Sequence, residues 1–186
     1  LTEEGRKLLS TLGDDTSKPR KSSSEGRMFG DAPTPGTVYG RSPLIDAVYD
    51  EIHQQHCLFI SGLPGIGKTA VGLAAAGKLV SNGLNVRWCT ANEYSDFETL
   101  CRSMSILSEL PSDADALAEH LAQECKDEVL IVDDVHMISS RHLGTFVSIC
   151  QHMKGLQGPK MMFIGRESLP GFEAMNRVSI PPLETN

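Results

Sequence analysis

Apolar residues recur along the chain in two rhythms. Unbroken runs such as Cys57-Leu58-Phe59-Ile60, Val129-Leu130-Ile131-Val132 and Met161-Met162-Phe163-Ile164 read as strands buried on both faces. Between them, apolar residues fall at helical spacing: Leu44, Ile45, Val48 and Ile52 share one side of a helix over about 42–54, with Ser42 and Pro43 as its cap and first position. The pattern predicts strands near 57–61, 85–90, 128–133, 160–165 and 177–181, and further helices near 67–80, 95–108, 113–126 and 140–153. Asn82-Gly83 ends the 67–80 helix, and Gly155, Gly158 and Pro159 break the last one. Strands alternating with helices imply an α/β fold: three layers, α/β/α, around a mostly parallel central sheet of about five strands. No internal repeat is visible.

The stretch before residue 37 has a different texture. Residues 1–12 read as an amphipathic helix, with Thr2 as cap and Leu8, Leu9 and Leu12 on one face. The segment LTEEGRKLL also resembles the closing segment of winged-helix DNA-binding domains. Residues 13–36 are rich in Gly, Asp, Ser, Lys and Pro and read as a linker, leaving 37–186 as the main domain. The chain begins at Leu1, which suggests a piece of something longer.

Composition narrows the function classes. Seventeen Lys and Arg against 24 Asp and Glu give a net charge of −7, so the domain as a whole is no electrostatic trap for nucleic acid. Aromatics at 5% argue against stacking surfaces for single strands. The basic stretch 18–27 is Ser-rich and reads best as solvated linker. Five cysteines without a CxxC pair fit reduced thiols in a cytoplasmic protein. No apolar run is long enough for a membrane span.

Chemistry concentrates in residues 62–69, Gly62-Leu63-Pro64-Gly65-Ile66-Gly67-Lys68-Thr69. This is the spacing of a phosphate-binding loop, and it lies between a strand and an Ala-rich helix, the context the motif requires. Glycines let the backbone turn tightly and aim N–H groups at phosphate oxygens, and the helix N-terminus, including Ala70, adds partial positive charge. Lys68 is the candidate for the β- and γ-phosphates and the Thr69 hydroxyl for Mg²⁺. The strand 128–133 delivers a second signature, Asp133-Asp134, beside that loop. Asp133 is the candidate metal-site residue, and Asp134 the candidate to orient or deprotonate attacking water; a cap or an indirect acceptor is the other reading of Asp134. A third buried strand ends in Gly165-Arg166, where Arg166 either bonds the γ-phosphate or pairs at the surface with Glu167. His136 reads either as a γ-phosphate sensor or, more simply, as a loop residue at the sheet edge. Val38-Tyr39-Gly40-Arg41 is a candidate adenine contact through Val38, Gly40 and Arg41, or a helix-opening turn. No Asn-Lys-x-Asp is present, which disfavours guanine specificity.

Taken in order, Val38-Tyr39-Gly40-Arg41, GLPGIGKT, Val86-Arg87-Trp88, LIVDDVH and FIGRE resemble the STAND class of signalling ATPases over about 37–183. That class includes the NB-ARC proteins and the MalT-like transcription activators, and DDVH with GRESLP is nearest the latter. The resemblance implies a switch that holds ADP when closed, exchanges it for ATP and then self-associates, with Lys68 and Thr69 on phosphate and Mg²⁺, Asp133 on the metal, Asp134 assisting slow hydrolysis and Arg166 as sensor. If 1–12 ends a winged helix, DNA joins the partners through an upstream domain. The family's helical lid is not in this sequence, which ends soon after Pro181-Pro182. Three other readings compete. An AAA+ motor or loader acting on nucleic acid shares the Gly-Arg turn and the phosphate loop, but usually carries Asp-Glu at the second signature and Asn at the sensor strand. A nucleotide-dependent scaffold with little turnover would look the same. A small-molecule kinase fits least, for want of a substrate-binding lid motif.

Overall fold

Parallel pairing of six strands organises the molecule. The computed structural model describes residues 25–166 and 170–182. The helix expected over 1–12, the first part of the expected linker and Glu167 lie outside the described residues. Strands β1 (Met28–Gly30), β2 (Cys57–Ser61), β3 (Asn85–Thr90), β4 (Glu128–Asp133), β5 (Lys160–Ile164) and β6 (Asn176–Ser179) form one sheet in the order β1-β3-β4-β5-β2-β6. Every pairing is parallel. Helices α1 (Ser42–Gln54), α2 (Lys68–Ser81), α3 (Phe97–Ser103), α4 (Ala114–Glu124) and α5 (Ser140–Gly155) connect them. The chain has the α/β fold of P-loop NTPases.

Side-chain alternation explains the layers. In β2, Leu58 and Ile60 enter a core shared with Val48 and Ile52 of α1 and Val71 and Leu79 of α2, and Trp88 and Ile164 fill it. Cys57 and Phe59 enter the opposite core, under α3, α4 and α5, where Phe146, Phe163 and Phe172 cluster. The sheet is therefore covered on both faces, as parallel sheets require. All five cysteines are buried and free. Among the described residues no helix is long and apolar enough to cross a membrane.

Two expectations are corrected. The sheet has six strands rather than about five, and the extra one, Met28–Gly30, lies within the stretch read as linker. Three residues are too few to show periodicity. They are ordered by long-range partners: the ladder with β3, the Arg27 N–H donating to the Asn85 side chain at 3.1 Å, and Arg87 stacked over Phe29. The helix expected over 95–108 ends at Ser103, because Ser105 turns left-handed at φ 60° and sends Ile106 back into the core.

Asp96 starts α3. Its carboxylate accepts from the Thr99 hydroxyl at 2.7 Å and the Thr99 N–H at 2.8 Å, and these bonds hold its carboxyl below the usual range. Asp96→Ala is expected to cost about 1 kcal/mol at neutral pH, the worth of such a cap. Because the folded-state carboxyl titrates lower than the unfolded one, this contribution is complete above about pH 4 and is lost as pH falls through the folded value. Urea denaturation of parent and variant at neutral pH and near pH 3 checks it; a gap that persists in acid contradicts the assignment.

Candidate nucleotide-binding site

The loop between β2 and α2 crosses the carboxyl edge of the sheet, where strand order changes direction: β5 lies on one side of β2 and β6 on the other. Open α/β sheets place ligand crevices at such points. Gly65 and Gly67 take left-handed φ values of 75° and 94°, and no atom lies within 4 Å of where a side chain would start, so the demand for glycine is conformational. Gly67 caps α2, and the Val71 N–H donating to the Gly67 carbonyl at 3.1 Å is the helix's first bond. Helix geometry thus leaves the amides of Lys68, Thr69 and Ala70 without helical acceptors, facing the cavity mouth.

Lys68, nearly buried, donates from Nζ to the Leu63 carbonyl at 2.8 Å, folding its cation back over the loop. Asp133 closes β4 and is 2% exposed. Burial pushes its carboxyl above the usual range, opposed by bonds from the Thr69 hydroxyl and the Asp134 N–H, the latter at 2.8 Å. Asp134 adopts a left-handed conformation, φ 50° and ψ 33°, and opens a single 3₁₀ turn, Val135–Met137. That kink points both Asp134 and His136 into the cavity. Gly165 permits it: a side chain there would start 3.0 Å from Val135 and 3.2 Å from Phe59.

The cavity measures about 530 Å³ and is lined by Pro33, Thr34, Gly36, Pro64, Gly65, Gly67, Lys68, Thr69, Ala70, Leu73, Asp134, His136 and Arg166. That size suits a nucleotide, within the roughly 300–1,000 Å³ of small-molecule sites. The loop, the start of α2, Asp134 and Arg166 therefore meet at one cavity. Asp133 stands behind Thr69 rather than on the wall. Gly62 and Ile66 lie on the loop's inner side, Gly62 packed against Ile180 and Ile66 against the α1/α2 core.

The expected adenine contacts are not brought to this cavity. Val38, Gly40 and Arg41 lie off its lining. Arg41 is buried and donates to the Pro181 carbonyl at 3.2 Å, tying the start of α1 to the chain just after β6. Pro33, Thr34 and Gly36 form the wall instead, because β1 delivers the chain from the far edge across the top of the sheet. His136, read more simply as an edge loop residue, lines the cavity too.

The donor set fits Mg²⁺ with a phosphate chain. No cluster of three or more His, Cys, Asp or Glu able to hold a metal exists among the described residues. A hydroxyl from Thr69 and the carboxylate of Asp133 are what a magnesium ion needs from protein when phosphate oxygens and water supply the remainder. Bound there, Mg²⁺ with ATP would supply an electrophilic γ-phosphoryl group. In that arrangement Lys68 and the loop amides would hold the phosphates, and Asp134 and Arg166 would face them from the same cavity wall.

A family model described as AAA domain matches residues 50–171, most of the chain. The chain belongs to the AAA domain family. No curated protein matches the sequence. Among solved structures, this AAA domain is similar to Cdc6p from Pyrobaculum aerophilum, at TM-score 0.55 and 18% identity over 83% of this chain and 48% of that one. It is also similar to PCH-2 of C. elegans, at TM-score 0.52 and 10% identity over 81% and 45% of the two chains. A third is Drosophila ORC bound to DNA, at TM-score 0.52 and 17% identity over 76% and 43%. At these identities the likeness is one of fold. The AAA domain spans less than half the length of each of these structures.

Proposed function

We propose that this AAA domain binds Mg·ATP in the β2–α2 loop and hydrolyses it, serving as the nucleotide-driven module of an AAA+ protein of the initiator or loader kind. The observation that carries the reading is the convergence of Lys68, Thr69, Asp134 and Arg166 on one cavity, with Asp133 directly behind. Family membership and the fold shared with Cdc6p and ORC support the AAA+ class over the STAND class. Nucleic acid, if it is the load, is gripped by parts other than this acidic domain, whose net charge is −7. Calorimetric titration with Mg·ATP, Mg·ADP and Mg·GTP tests the reading: adenine nucleotides bind in the micromolar range and turnover requires Mg²⁺. Absence of binding ends it.

A second reading is supported by two particular residues. Asp134 stands where loaders carry Glu, and Gly165-Arg166 stands where they carry Asn. Both favour a slow, STAND-type regulatory switch that self-associates with ATP bound and acts in the cytoplasm, on transcription if a DNA-binding domain is joined upstream. Arg166, exposed on the cavity wall, is the γ-phosphate sensor in this reading. Arg166→Ala is expected to reduce the preference for ATP over ADP by about tenfold, the worth of one charge-assisted hydrogen bond. Paired ATP and ADP titrations of variant and parent decide it; unchanged discrimination removes the sensor role.

A further inference from the structure

Resting on the ATPase reading of this cavity, we propose that His136 is a positioning residue for hydrolysis, whose Nδ1 nitrogen holds the Asp134 carboxylate when nucleotide is bound. Three observations converge. The imidazole lines the cavity beside Asp134, and its side chain is only 14% exposed. Nδ1 is buried and has no hydrogen-bond partner. It lies 3.9 Å from Asp134 Oδ1, about 1 Å beyond bonding distance. A buried nitrogen without a partner carries a cost of roughly 1–3 kcal/mol, which a small closure of the turn removes.

The surroundings determine what the ring offers. Burial is the main influence favouring the neutral form; the Lys68 and Arg166 cations act the same way and the Asp134 carboxylate opposes them. A neutral ring protonated at Nδ1 donates one hydrogen bond to the carboxylate and adds no third cation to the phosphate site. The carboxylate needs such a hold, because it is 46% exposed and accepts no other hydrogen bond from the described residues. The 3₁₀ turn sets the approach, with the Met137 N–H donating to the Asp134 carbonyl at 2.7 Å and keeping the two side chains on one side. No proton leaves His136 in this role; it orients the group that polarises water.

Amide side chains separate the two ring nitrogens: the nitrogen of Asn stands near the place of Nδ1, and that of Gln near the place of Nε2. The experiment measures turnover and Mg·ATP affinity for parent, His136→Ala, His136→Asn and His136→Gln. His136→Ala is expected to lose about tenfold in kcat, the equivalent of one hydrogen bond of ~1.4 kcal/mol, with ATP affinity within about twofold of parent. His136→Asn recovers most of the rate and His136→Gln does not. Affinity for Mg·ADP with aluminium fluoride, a stand-in for the phosphoryl group in transfer, follows the same order and needs no turnover. Parental values in His136→Ala overturn the proposal, as does equal recovery by Asn and Gln. If the Ala variant fails to fold, the Asn and Gln pair carries the comparison. Failure of the parent to bind Mg·ATP is a different result and strikes the ATPase reading itself.

Discussion

Lys68→Ala loses nucleotide binding by at least about 100-fold while the domain stays folded. The ammonium is the one cation set in the first turn of α2, and its Nζ is anchored 2.8 Å from the Leu63 carbonyl. Contacts from a charged donor to phosphate are worth roughly 1.5–3 kcal/mol each, and in the proposed complex Lys68 would make two, so more than about 2.8 kcal/mol is the expected loss, about two factors of ten. The structural cost is small because the bond given up is to a loop carbonyl at the cavity mouth, not to a core group. Titration calorimetry measures the affinity, and urea denaturation checks that stability shifts by less than about 1 kcal/mol. A variant that still binds Mg·ATP in the micromolar range would falsify the phosphate-loop assignment.

Asp134→Asn is expected to slow turnover by about 100-fold or more, the range for removing a general base, with ATP affinity within about threefold of parent. Asparagine is the informative choice because Asp134 sits at φ 50°. Asn accepts the left-handed conformation with little strain, whereas Ala there would distort the turn that also carries His136. The variant removes charge and basicity and keeps shape. A matching loss of binding would mean that Asp134 holds the metal instead of assisting water, and an unchanged rate would remove it from the chemistry.

How much of this was legible in the sequence depends on the range of the interactions involved. GLPGIGKT and LIVDD announce themselves because each is local: a strand that buries itself, a turn that needs glycine, a helix that follows. Arg166 was legible for the same reason, as the residue two steps past a buried strand. Met28–Gly30 was not, because its order comes from β3, 58 residues away at the Arg27–Asn85 bond. The sequence clues were slight: Met28 and Phe29 are the only large apolar pair in the stretch read as linker, and Pro33-Thr34-Pro35 is stiff for a linker. The placement of Val38, Gly40 and Arg41 off the cavity lining has the same cause. Which upstream residues reach the cavity depends on where the edge strand releases the chain. His136 had a local signal, but only the left-handed kink at Asp134 turns it inward.

The placement of β1 also has a mechanical side. The described chain enters the sheet at the amino end of β1 and leaves it beyond the carboxyl end of β6, at opposite corners of the six strands. Five strand spacings, about 24 Å, separate the two edges. A pull between those corners runs diagonally across all five ladders, so each of them carries part of the load. Tension that displaces β1 would reach the cavity through residues 31–36, which leave the carboxyl end of that strand and supply the Pro33, Thr34 and Gly36 wall.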